Sequence, residues 1–447
     1  MSLPQYPEYK DSGHPHISKV PSQWEIKPLK HCLRLITEKA TGKSSPIALE
    51  NIEGWSARYL PSESDFEGVG IAFRQGDILF GKLRPYLAKV YQAEFAGEAI
   101  GDFHVMRPVS GFIGRYALYQ FLQESFISVV DGATHGAKMP RVGWEFMGNM
   151  PFVVPRPEEQ LQIARFLSHE TAKIDALIRE QERLIALLQE KRQAVISHAV
   201  TKGLDPNVPM KDSGVEWLGE VPAHWVVTPL KRCSKLNPSK SGYLGSKSID
   251  CTFLPMEKLK TDTIRRDEIR KISEVYDGYT YFEDGDVLFA KVTPCFENRN
   301  TALACYLMNG IGFGSSEIFV LRPETGIVGR FLFYRLLEDV LVNYWSSEMT
   351  GAGGLKRVPS SVVENFAIAL PDRAEQEHIC AYLDTAVKKF EELMAEAESA
   401  VALLKERRSA LISAAVTGKI DVRNWQPPVD ESAFDEEVRQ AGMEVTA

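Results

Sequence analysis

The side chains best placed to do chemistry fall in two clusters, one in each half of the chain. Just past the string GDILF (76–80) stand Lys82, Arg84, Tyr86 and Lys89, and just past GDVLF (285–289) stand Lys291, Thr293, Asn298 and Arg299. Farther on, each half has a glycine-rich stretch with basic residues in it or directly after it. His135, Lys138 and Arg141 form the first such set, and Lys356 and Arg357 the second. Arg, Lys, Asn and Gln offer donors and acceptors that match base edges, and glycine lets a backbone come close to phosphate. This is chemistry of recognition, not of bond making. The plain alternative is that Lys82 and Lys291 are solvated lysines at strand ends and the glycine-rich stretches ordinary surface loops. Arg107 and Arg322, each followed by proline, read as structural, and Trp24 and Trp225 as core.

Motifs that would make or break bonds are missing. The nearest approach to a methyltransferase tetrad, Asn237-Pro238-Ser239-Lys240, lacks the second proline and the aromatic. Gly42-Lys43-Ser44 echoes a phosphate loop, but Thr37 stands where that pattern requires glycine. HExxH, GxSxG and GxGxxG do not occur, and the six cysteines form no CxxC pair, so neither a metal nor a catalytic residue is assigned. The N-terminus lacks the basic and apolar regions of a signal peptide, and no apolar run approaches the ~20 residues of a membrane span. The expectation is a cytoplasmic protein with no membrane partner.

Those side chains must be held by something that occurs twice. Lys10-Asp11-Ser12-Gly13 returns as Lys211-Asp212-Ser213-Gly214, and Val20-Pro21-Ser22-Gln23-Trp24 as Val221-Pro222-Ala223-His224-Trp225. FRQGDILFGKLRP (73–85) matches FEDGDVLFAKVTP (282–294), and Pro155 to Asp205 matches Pro371 to Asp421. The spacing between copies drifts from 201 to 216 through the globular parts and then stays fixed over the last fifty residues. A duplicated frame of this kind implies two equivalent domains. GDILF and GDVLF read as turn-to-strand starts, aromatic helices are expected at 116–122 and 331–341, and each globular part reads as a mixed α/β domain.

The segment of fixed spacing reads as helix. Ile174, Ile178, Ile185, Leu188 and Val195, with polar Gln181 and Arg192 between them, repeat at steps of four and three. Phe390, Met394, Ala397, Val401, Leu404, Arg408 and Leu411 repeat at the same steps, with Leu177 and Leu393 widening the stripes. That is the signature of a coiled-coil seam, although one such stripe alone would be ordinary core packing. Thr171 and Thr385 are candidate N-caps, with stops near Gly203 and Gly418, giving helices of roughly 29 residues and ~43 Å. An antiparallel pairing would give one chain the pseudo-two-fold symmetry of a dimer and hold two readers about one DNA turn apart.

The net charge of −8 argues at first against nucleic acid as a partner. By segment, 21–155 hold 14 basic and 14 acidic residues and 222–371 hold 18 and 17, whereas the tail 421–447 holds 2 and 7. The acidic excess therefore lies outside the two globular parts. Neither part is strongly basic, so partners are expected to supply some of any phosphate contact.

The strings PMKDSGVEWLGEVPAHW (209–225), EEQLQIARFL (158–167) with AEQEHICAYL (374–383), and LLQEKRQAVISHAVTKGLD (187–205) with LLKERRSALISAAVTGKID (403–421) resemble specificity subunits of type I restriction-modification enzymes. The resemblance covers nearly the whole chain. It implies an α+β protein with target recognition domains at 1–155 and 206–371 and helical spacers at 156–205 and 372–420, while the acidic composition of 421–447 reads as a flexible tail. It further implies a non-catalytic subunit that binds double-stranded DNA and assembles with two methyltransferase subunits and with restriction (translocase) subunits. S-adenosylmethionine would be held by the methyltransferase partner. The outward helix face, including Arg179, Glu182, Arg183, Glu190 and Lys191, would be the docking surface. Two other readings remain: a coiled-coil scaffold without DNA affinity, and a nuclease or methyltransferase fused to a reader.

Overall fold

The computed structural model describes residues 4–41, 45–62, 69–352 and 354–427. The Gly42-Lys43-Ser44 echo, Gly353 of the second glycine-rich stretch and residues 428–447 of the acidic tail lie outside them. The chain forms two units, Met1–Glu182 with Glu398–Ala447, and Arg183–Ala397.

In the first unit, strands β1 (Leu33–Ile36), β2 (Ile78–Gly81), β3 (Val90–Gln92) and β4 (Phe103–Pro108) make an antiparallel sheet of order β1-β4-β2-β3. Strand β2 is buried on both faces. Alternation along a strand sends Ile78 and Phe80 into a core with the aromatic rings of Phe121, Phe126 and Phe152, and Leu79 into a smaller core with Phe73, Tyr91 and Val105. In the second unit, β5 (Ser234–Leu236), β6 (Val287–Ala290), β7 (Thr301–Leu303) and β8 (Ile318–Pro323) have the equivalent order β5-β8-β6-β7. The side sheets differ: three strands in the first unit, four in the second. The extra chain between Cys233 and Phe282 accounts for the first drift in the repeat spacing.

The glycine and aspartate of GDILF and GDVLF explain why strands begin there. Gly76 and Gly285 take left-handed φ of +89° and +94° at the turn. The buried Asp77 carboxylate accepts from the Arg74 amide (2.9 Å) and from Nε and Nη2 of Arg107 (both 2.7 Å). Asp286 does the same with the Glu283 amide and with Arg322 (2.8 Å each). Arg107 and Arg322 thus clamp each central strand to its neighbour, the structural role expected of them. Trp24 and Trp225 are wholly buried. The aromatic helix expected at 116–122 is Gly114–Phe121, followed by a further helix Glu124–Gly132, whereas the one expected at 331–341 is in fact two, Gly329–Leu336 and Asp339–Ser347.

The long helices α1 (Pro157–Lys202, 46 residues) and α2 (Arg373–Val416, 44 residues) begin well before the expected caps. The Thr171 hydroxyl donates to the Leu167 carbonyl (2.6 Å) and that of Thr385 to the Ala381 carbonyl (3.0 Å), which places both threonines inside a helix. Pro157 opens α1, and Asp372 caps α2 by accepting from the Glu375 amide (2.9 Å). In the early turns of α1, Ile163, Ala164, Phe166 and Leu167 are buried in the domain core, with Ala164 and Leu167 at the steps of three and four that run on into the seam. The stops fall as expected, with Gly203 and Gly418 left-handed (φ +77° and +74°).

Within the first unit, Ile174, Ile178 and Val401 are buried together, with Leu404 and Leu411 packed against them. Asp175 pairs with Arg408 (2.8 Å) and Glu182 lies 3.7 Å from Lys405, so the helices run antiparallel there. In the second unit Arg192 lies 3.9 Å from Glu391. Met394 is buried and Ile185, Leu188, Val195 and Phe390 are half-buried. Leu177 and Leu393, by contrast, are exposed.

Candidate nucleic-acid interface

Strand pairing brings the scattered basic residues together. Lys82 continues directly from β2; its amide donates to the Asp102 carbonyl (2.8 Å) and its carbonyl accepts from the Val142 amide (3.0 Å). The glycine-rich stretch folds back as a hairpin in which the His135 and Arg141 backbones exchange both hydrogen bonds (3.0 Å each). It docks through the Arg84 amide on the Pro140 carbonyl (2.9 Å). The Arg141 guanidinium then grips both oxygens of Asp102 (2.8 Å each), with the Lys82 ammonium 3.9 Å from the same carboxylate.

The second unit repeats this arrangement with different side chains around it. Lys291 donates from its amide to the Glu317 carbonyl (3.0 Å) and accepts from the Val358 amide (2.9 Å). The glycine-rich stretch is again a hairpin, Thr350–Ala352 paired with Leu355–Arg357. Arg357 grips both oxygens of Glu317 (2.8 Å each), holding that carboxyl below the usual carboxylate range. Thr293 is spent inside the hairpin: its hydroxyl accepts from the Lys356 amide and donates to the Gly354 carbonyl (3.0 Å each).

Asp102 and Glu317 are the residues that sequence reasoning missed. Acidic side chains did not suggest recognition of a polyanion, and only the strand pairing shows what they hold. The available signal was that they occupy matched positions at the spacing of 215. Behind the first clasp sits His104, buried, its Nε2 3.1 Å from the Val142 carbonyl and its ring 5.8 Å from that of Trp144. Burial, with Lys82 adding, pushes its pKa down. Phe319 stands at the matched position in the second unit, with the Lys291 ammonium 5.0 Å from its ring centre.

Other expected contacts do not join the clasp. Arg84, Tyr86, His135 and Lys138 are exposed around the first one and Lys356 around the second. Lys89, however, turns away to donate to the Leu49 carbonyl (2.6 Å). Arg299 pairs with Asp339, and with Asn298 it lines a cleft of about 110 Å³ shared with Arg192, Ile196 and Glu391 of the long helices. Among the described residues no group of His, Cys, Asp or Glu has the arrangement of a metal site, and no helix is long and apolar enough to cross a membrane.

The two α+β units thus share one sheet order and carry a basic clasp at the same strand end. No protein-family model matches the chain. Over 36% of its length it is 38% identical to the type I restriction enzyme EcoAI specificity subunit of Escherichia coli, a match covering 27% of that protein. Over 92% of its length it is 22% identical to the type I restriction enzyme MjaVIII specificity subunit of Methanocaldococcus jannaschii, covering 96% of it. In fold it matches a chain of a type I R-M system solved to explain complex assembly and conformational transition (TM-score 0.64, 19% identity, 90% of this chain and 99% of that one). The matched stretches span about a quarter of the length of the EcoAI and EcoEI specificity subunits of E. coli. By these comparisons the chain is similar to type I restriction specificity subunits.

Proposed function

We propose that this chain is the sequence-specific DNA-binding subunit of a type I restriction-modification complex and acts in the cytoplasm without catalysis of its own. Each recognition domain reads one half of an asymmetric, two-part site in double-stranded DNA. The long helices pair as a coiled coil, set the gap between the halves and dock two methyltransferase subunits, to which restriction (translocase) subunits are added. S-adenosylmethionine is bound by the methyltransferase subunits.

The observation that carries this reading is the clasp itself, built from the same strand end and hairpin in both domains while the exposed side chains around it differ. Phosphate contacts fix a protein's register on DNA and base contacts specify sequence, so one scaffold can present two readers by varying only the latter. The near-neutral charge of both domains supports a shared grip, with partner subunits supplying further phosphate contacts. Mapping of methylated adenine in a methylation-free host expressing this chain with its methyltransferase subunit tests the reading. The expected result is one asymmetric two-part motif with a fixed gap. A stable complex that methylates no motif would overturn it, and failure to form any complex would favour the scaffold.

A further inference from the structure

Two domains of one chain that face the same polymer but different base sequences are an internal control. The phosphate backbone is common to both half-sites, so side chains that contact it can be the same in both domains, whereas side chains that read bases have to differ. We infer from this, on the reading of the chain as a DNA-binding subunit, that each interface divides its labour. The Lys82–Asp102–Arg141 and Lys291–Glu317–Arg357 clasps are sequence-blind anchors, and Arg84 in the first domain and Lys356 in the second choose bases.

The matched parts agree closely. Each arginine holds its carboxylate at 2.8 Å through both oxygens, and each lysine keeps the same pair of backbone partners. In both, the carboxylate offsets the arginine and fixes the hairpin, so one positive charge is left over, on a lysine at the strand end. That suits a phosphate, which asks for charge at a fixed point and carries no sequence information. The unmatched parts differ in kind. Arg84 is exposed beside the clasp on left-handed backbone (φ +50°). Its counterpart Thr293 has its hydroxyl consumed within the hairpin, which leaves the exposed Lys356 to present a donor in the second domain. An arginine fork and a lysine ammonium offer base edges different donor geometry.

The test uses the assembled complex with its methyltransferase subunits. Methylated adenine is mapped across host DNA, and binding is measured against salt for a duplex carrying the mapped motif and one with both halves scrambled. Lys82→Ala and Lys291→Ala are expected to weaken binding to both duplexes by a similar factor. They should lower the slope of log affinity against log salt by about 1 and leave the motif unchanged, and Lys82→Arg should restore binding. Arg84→Ala and Lys356→Ala should each relax one position, in opposite halves of the motif, with binding to the scrambled duplex unchanged. A motif altered by either lysine-to-alanine anchor variant, or uniform weakening by Arg84→Ala or Lys356→Ala, would overturn the division. A wild-type complex that binds both duplexes equally would sink the sequence-specific reading itself, and the division with it.

Discussion

Helix Gly114–Phe121 of the first unit and helix Gly329–Leu336 of the second pack against equivalent sheets, yet they carry different polar groups inward. In the first, the Gln120 side chain donates to the Val153 carbonyl (2.6 Å) and accepts from the Val153 amide (3.0 Å), and Gln123 donates to the Gln120 carbonyl (3.2 Å). The Tyr116 hydroxyl reaches the carbonyls of Val153 (3.1 Å) and Val416, near the end of α2 (3.4 Å). In the second, the matched positions hold Phe331, Arg335 and Glu338. Phe331 has no hydroxyl, and Arg335 Nη1 donates instead to the Val200 carbonyl (3.2 Å), the counterpart of Val416. Arg335 lies 2.8 Å from Glu338 with both side chains buried, but among the described residues Nε and Nη2 of Arg335 find no hydrogen-bond partner. Burial pushes the Arg335 pKa down and that of Glu338 up, against their mutual attraction. One scaffold thus closes the same helix end with neutral amides in one copy and with an ion pair in the other.

The largest effects should come from breaking that ion pair. Glu338→Ala strands a buried guanidinium and should cost about 3–5 kcal/mol. Arg335→Gln combined with Glu338→Gln, which copies the first unit, should stay within about 1 kcal/mol of wild type or gain stability. Chemical denaturation of the full chain distinguishes the cases; a double variant as unstable as the single one would mean that the amides cannot replace the pair. A smaller contrast lies in the seam. Arg408 is mostly buried, bonds Asp175 at 2.8 Å and also donates to the Trp55 carbonyl (2.8 Å), whereas its counterpart Arg192 is 3.9 Å from an exposed Glu391. Arg408→Ala should cost about 2–3 kcal/mol, at the level of charged hydrogen bonds. Arg192→Ala should cost no more than about 1. Equal losses would show that the two units do not differ at this matched pair.

Much of this was legible in the chain because local rules and the repeat agree. Glycine and aspartate before an apolar run marked both central strands, and the matched spacing of Arg107 and Arg322 marked them as structural. The helix stops were legible for the same reason, since Gly203 and Gly418 supply the backbone that a helix end requires. What stayed hidden depends on tertiary placement. The helix starts were masked because Thr171 and Thr385 have the side chains of N-caps, and only their hydroxyl bonds to the Leu167 and Ala381 carbonyls show that both lie inside a helix. Lys89 followed the strand in sequence, but the 3-10 turn Pro85–Leu87 separates it from Arg84, and it faces inward to Leu49. Asp102 meets Arg141 across 39 residues through strand pairing alone, which no local pattern encodes.

The smallest expected effect concerns His104 and Phe319, which sit at matched positions behind the two clasps. Burial holds His104 below its ordinary pKa of 6.5, Lys82 pushes in the same direction, and the hydrogen bond with the Val142 carbonyl opposes them. The folded chain therefore binds fewer protons at this site than the unfolded chain does, and stability rises with pH. The contribution is fully present above pH 6.5 and is lost as pH falls toward the lower folded value. Phe319 cannot titrate, so the second unit lacks this sensitivity at the matched position. His104→Phe, which copies the second unit, should flatten the loss of stability between pH 7.5 and pH 5.5 while leaving stability at pH 7.5 little changed. Denaturation of wild type and variant at the two pH values measures it. An unchanged pH dependence would remove His104 as its source and leave the two clasps alike in their response to acid.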